Sequence, residues 1–159
     1  MPKVLMTQRQ DSAGHARVWA LTEGRAGDNA QVVALARALE LPYRILTLEG
    51  NSVPHMILDR ICDFLGLDRK PRRLPADTPK AWPDLVIAIA GGSVSSVRRI
   101  VSASGGATRS VQLGRPVASL GAFDLVVTTP QYGIPEAPNV LNAALPFGTA
   151  AQDQEYTAA

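Results

Sequence analysis

Residues 84–90, Asp84-Leu85-Val86-Ile87-Ala88-Ile89-Ala90, are almost continuously apolar, the pattern of a central parallel strand covered on both faces. A shorter apolar run at 17–22 closes at Gly24 and reads as an earlier buried strand. The period then changes. Over residues 28–40, Val32, Leu35, Ala36 and Leu39 recur at helical spacing, with Asp28 placed as N-cap and Gln31 three positions on as its capping-box partner. Leu41-Pro42 ends that helix, and the alternation over 43–48 predicts a second strand. Strand, helix and strand in this order make a βαβ unit. Its strands run parallel with a right-handed crossover, so the first strand-to-helix loop belongs at the carboxyl edge of the sheet.

Further along, residues 53–67 place Ile57, Ile61, Phe64 and Leu65 on one helical stripe, followed by the basic run Arg69-Lys70-Pro71-Arg72-Arg73. Residues 74–83 are proline-rich and end in Trp82-Pro83, a stiff connection into the central strand. Gly91-Gly92 breaks that strand. Ser93 is placed to cap a helix running to Ser104, with Val94, Val97, Ile100 and Val101 facing inward, and Gly105-Gly106 stops it. Short strands are predicted at 109–113, 124–128 and 139–141, separated by loops rich in Pro and Gly. Residues 1–16 and 147–159 show neither period and read as a mobile leader and a disordered tail. What remains, 17–146, is one α/β domain, Rossmann-like and three-layered, with a mostly parallel sheet.

Composition narrows the functional classes. A chain of 159 residues with 46% hydrophobic and 19% charged residues has enough apolar material for one core and too little length for two full nucleotide-binding halves. The formal net charge of +2, with Lys and Arg dispersed except at 69–73, excludes bulk affinity for nucleic acid. Cys62 is the sole cysteine, so no intrachain disulfide and no cysteine-based zinc cage forms, which suits a reducing compartment; no metal or cofactor is expected. No signal-peptide core and no apolar run of membrane-spanning length is present, so a cytoplasmic location is expected. The stripe of Ile57, Ile61 and Phe64 beside Arg69, Lys70, Arg72 and Arg73 supplies both terms of peripheral binding to an anionic inner-membrane surface. The same stripe equally serves to cover the sheet.

Two loops carry the candidate chemistry. In the first, Glu23-Gly24-Arg25-Ala26-Gly27-Asp28-Asn29, glycines permit a sharp turn and close ligand approach to a helix start. It is neither a Walker loop nor a complete GxGxxG, and the anionic Glu23 and Asp28 oppose bound phosphate, so a hydroxylated or cationic ligand fits better. The second, Gly91-Gly92-Ser93 with Ser95 and Ser96 behind it, has no acid nearby and opens a helix bearing Arg98 and Arg99, which suits an anion. A tight βα turn and a capped helix account for the same glycines without any ligand. No nucleophile–base–acid set assembles from the remaining residues, and the two histidines fall in the leader and the 53–67 helix. A dinucleotide oxidoreductase fits least, because the first loop lacks its third glycine and Glu49 runs straight into Gly50-Asn51.

The blocks Trp19-Ala20-Leu21-Thr22-Glu23-Gly24-Arg25-Ala26-Gly27-Asp28-Asn29-Ala30-Gln31, Pro83-Asp84-Leu85-Val86-Ile87, Val111-Gln112-Leu113, Phe123-Asp124-Leu125-Val126-Val127 and Pro138-Asn139-Val140 together resemble the mitochondrial fission ELM family, over residues 17–146. That family, widespread in bacteria, looks like glycosyltransferases of the GT-B type, in which two Rossmann-like halves face each other across a cleft. The resemblance implies that this chain is the acceptor-side half, not catalytic alone, with a sugar or lipid-linked acceptor and a missing carboxyl-terminal domain or protein partner. Glu23, Gly24, Arg25, Gly27, Asp28 and Asn29 would then face the cleft, with Gly91, Gly92 and Ser93 as its second wall. The chain departs from the family pattern at Gly92, where an arginine is common, and at Gln131-Tyr132, where a histidine and an acid are common. Those departures weaken phosphate contact and acid–base chemistry, and the alternative implied is a non-catalytic protein-interaction module of organelle or cell-envelope division.

Overall fold

A computed structural model describes residues 17–23, 26–48, 74–89 and 91–144. The elements are β1 (Val18–Thr22), α1 (Ala26–Ala38), β2 (Tyr43–Thr47), β3 (Leu85–Ile89), a 3-10 turn at Gly91–Ser93, α2 (Val94–Ala103), β4 (Arg109–Leu113), a 3-10 turn at Leu120–Ala122, β5 (Leu125–Thr128), another at Pro130–Tyr132, and β6 (Val140–Asn142). All five strand pairings are parallel, in the order β2-β1-β3-β4-β5-β6. This is the Rossmann-like α/β arrangement expected from the apolar runs.

The strand order decides where the helices go. From β1 the chain steps one way to β2, then reverses past β1 and steps the other way through β3 to β6. Right-handed crossovers in opposite directions put α1 and α2 on opposite faces. Accordingly Val32 and Ala36 of α1 share a core with Val18, Ala20, Ile87 and Leu113, whereas Val94, Val97 and Ile100 of α2 share one with Trp19, Leu21, Val86 and Ala88. Alternate residues of each strand face alternate layers, so a run such as 85–89 must be apolar throughout. The connections 114–124 and 129–139 contain no α-helix and cover the α2 face with Leu120, Phe123 and Ile134.

Three expectations are corrected. Helix α1 starts at Ala26, so Asp28 lies inside its first turn and is not the N-cap; the Asp28/Gln31 pair mimics a capping box nearly one turn too late. Ser93 does stand at the N-cap of α2, but within a 3-10 turn and without a side-chain capping bond; its hydroxyl donates back to the Ile89 carbonyl at 3.0 Å. The last strand is shifted one residue along the chain, to Val140–Asn142. The leader 1–16, the tail 147–159 and the 53–73 region with Ile57, Ile61, Phe64, Arg69, Lys70, Arg72 and Arg73 lie outside the described residues.

At the amino edge of the sheet, one carboxylate joins β4 to the segment before β5. Asp124 accepts from the Ser110 N–H at 2.8 Å, the Ser110 hydroxyl at 2.9 Å and Arg109 Nη1 at 2.8 Å. Partial burial disfavours its ionised form, but the bonds from Arg109 and Ser110 outweigh this and hold the carboxyl below its ordinary value. A depressed carboxylate stabilises the fold fully above the unfolded value near 4 and loses that contribution as pH falls through the folded value. Asp124→Asn therefore costs about 1 kcal/mol at neutral pH, given the exposure of the Arg109 pair, and progressively less as pH falls through the depressed folded value. Urea titrations of both proteins across that range check it.

Candidate functional site

The reversal of strand order lies between β1 and β3, and there the two strands part. Their register runs Val18↔Leu85, Trp19↔Val86 and Ala20↔Ile87 and stops, while β1 stays paired with β2 through Thr22↔Thr47 and β3 with β4 through Ile89↔Leu113. Both strands thus continue for two residues beyond their last mutual pair, at the carboxyl edge of the sheet. In open α/β sheets this switch point is where ligands bind, because helix N-termini and loops converge on it and no crossover covers it.

On the β1 side of this switch point, a single side chain links the end of the strand to the start of α1. Asn29, in the second turn-position of α1, accepts from the Glu23 N–H at 2.8 Å through Oδ1 and donates to the Glu23 carbonyl through Nδ2. One amide therefore bonds both backbone groups of the residue that follows β1, and ties the strand end to the helix start. Beside it the Thr22 and Thr47 hydroxyls share a hydrogen bond of 3.0 Å. Gly27 sits in the first turn of α1 with open space where a Cβ would be, so its absence of side chain leaves room at the helix start. Asp28 adds its negative charge to the positive end of α1, which complements the dipole and disfavours a bound anion. Gly24 and Arg25 lie outside the described residues.

The second loop is closed more tightly than its sequence implies. Gly91, Gly92 and Ser93 form a 3-10 turn; Ser93 and Ser96 are buried, and Ser95 is half-buried. Arg98 and Arg99 are exposed further along α2. A Cβ on Gly91 would stand 2.8 and 2.9 Å from the two γ-methyls of Val117, so the close approach that requires glycine here is made by the loop after β4. Gly91→Ala is expected to cost about 1–2 kcal/mol through this overlap, and the double variant with Val117→Ala to recover most of it; a double-mutant cycle in urea reads the coupling.

Sequence reasoning singled out neither Val117 nor Gln112. Gln112 is fully buried in β4, facing the α2 layer between Ala88 and Val126, with Nε2 donating to the Leu113 carbonyl at 3.3 Å. The signal was available: one polar residue within Val111-Gln112-Leu113 interrupts an otherwise apolar strand. No group of three His, Cys, Asp or Glu able to hold a metal occurs among the described residues, and no helix among them is long and apolar enough to cross a membrane.

Strand order and helix placement define a parallel, doubly wound α/β domain of Rossmann type, whose candidate site lies at the switch point after β1 and β3. The family model described as mitochondrial fission ELM1 matches residues 26–150, and the chain belongs to that family. No curated protein and no solved structure matches the chain.

Proposed function

We propose that this domain is the acceptor-side half of a GT-B-like glycosyltransferase homologue, holding a sugar or lipid-linked acceptor at the switch point between β1 and β3. The observation that carries the reading is the parting of those strands at the reversal of strand order. The acidic helix start with Asp28, and the room beside Gly27, suit a hydroxyl-rich ligand better than a phosphate. Catalysis in this reading needs a donor-holding unit from a carboxyl-terminal domain or a partner. Peripheral membrane contact rests on the sequence pattern of residues 53–73.

Calorimetric titration of the full chain with octyl β-glucoside below its micelle concentration, and separately with UDP-glucose, tests the reading. Saturable binding of the alkyl glucoside alone is expected. Binding of UDP-glucose would make this a donor half and overturn the assignment, and silence with both would favour the non-catalytic interaction module. Flotation with phosphatidylglycerol-containing vesicles tests the membrane part: binding at low salt that disappears at high salt is expected, and no binding at low salt removes it.

A further inference from the structure

A concavity lies on the α2 face, away from the switch point between β1 and β3. It is a groove of about 230 Å³ between the loops after β4 and β5, with Pro116, Leu120, Ile134 and Pro135 as apolar walls and Arg115 and Ser119 as its polar groups. That volume is below the roughly 300–1,000 Å³ of a full-sized ligand pocket, so it admits a ring or a short chain. Its walls are held in place at three points. Gly114, just before Arg115, and Gly133, in the opposite wall, both adopt left-handed backbone conformations (φ +73° and +56°) that side-chain-bearing residues rarely take. Asn139 reaches across from the strand β6 side and donates to the carbonyls of Leu120 and Phe123 at 2.8 and 3.0 Å, pinning the 3-10 turn that carries Leu120. Arg115 is anchored too: its Nη1 donates to the Tyr132 carbonyl at 3.3 Å, which steers an exposed guanidinium to the groove. A preorganised groove of this kind loses little entropy when filled.

We propose that this groove is a binding subsite for a small ligand with an apolar body, a ring or short chain, and one oxyanion, carboxylate or phosphate. The body lies between Pro116, Leu120, Ile134 and Pro135, and the oxyanion meets Arg115, whose planar donors match such a group. Ser119 adds a hydroxyl at the edge; as the exposed residue before the 3-10 turn it makes no capping bond. The inference does not depend on glycosyl transfer. It has a link to the first site all the same, because Val117, within the loop that bears Arg115, is the residue packed on Gly91.

Amide chemical-shift titration of the full chain with phenyl phosphate and with benzoate tests it, using inorganic phosphate and benzyl alcohol as the separate halves. Saturable shifts at Arg115, Ser119, Leu120, Gly133 and Ile134 are expected with either or both of the first two probes, and which of them binds more tightly tells the kind of oxyanion. Arg115→Gln is expected to weaken binding roughly tenfold or more, and Ser119→Trp to block the groove. Both residues are exposed, and an unchanged amide spectrum elsewhere verifies the fold. Equal binding by inorganic phosphate or by benzyl alcohol alone, binding that neither substitution alters, or no shift at these residues would overturn the proposal.

Discussion

Trp19→Ala is expected to remove about 3–5 kcal/mol of stability, a large share of the roughly 5–15 kcal/mol that holds a domain together. Trp19 has no exposed surface; it stands on the α2 face of β1 within a core shared with Leu21, Leu46, Val86 and Phe123, and its ring lies 5.8 Å from that of Trp82. Alanine leaves a cavity between the sheet and the elements on that face, which a rigid parallel sheet cannot collapse to fill. The indole N–H finds no hydrogen-bond partner among the described residues, so what Trp19 contributes there is packing. Trp19→Phe, which keeps a ring and discards that N–H, should therefore cost much less than alanine. Thermal melts followed by circular dichroism compare the two, with a fall on the order of 10 °C expected for alanine.

The second large effect concerns the site itself. Asn29→Ala deletes both of its bonds to the half-buried Glu23 backbone at once and is expected to cost about 2–3 kcal/mol. Asn29→Asp keeps an acceptor for the Glu23 N–H but sets a carboxylate against the Glu23 carbonyl, so it should fall between wild type and alanine. Chemical denaturation measures the stabilities. Hydrogen exchange at Glu23 and along the first turn of α1 should rise in both variants, and no change there would show that Asn29 does not hold the loop.

The sheet was legible because parallel strands buried on both faces must be apolar at nearly every position, and the runs at 17–22, 84–90 and 124–128 leave no other reading. Chain direction and the right-handed crossover rule then put both glycine loops at the carboxyl edge from the sequence alone. Local chemistry was less legible because it depends on partners distant in sequence. Asp28 passes every local criterion for an N-cap, yet the helix begins at Ala26, and Asn29 spends its amide on Glu23 six residues back. At the other end, Glu40 terminates α1 in the left-handed region (φ 53°), where glycine would be expected and the sequence offers none. Gly91 looked like a place for a ligand to approach, and the atoms that approach it belong to Val117, 26 positions later in the numbering of the chain. The groove at Arg115 was illegible for the same reason: its walls come from two proline- and glycine-rich loops, each of which alone reads only as connection.

The central claim is that ligand enters where β1 and β3 part. An amide chemical-shift map of the full chain titrated with octyl β-glucoside tests it most directly. Shifts concentrated at Glu23, Gly27, Asp28, Asn29 and residues 91–96, and lost in Asn29→Ala, are the predicted result. Shifts confined to other surfaces, with these amides unmoved at saturation, would contradict the account.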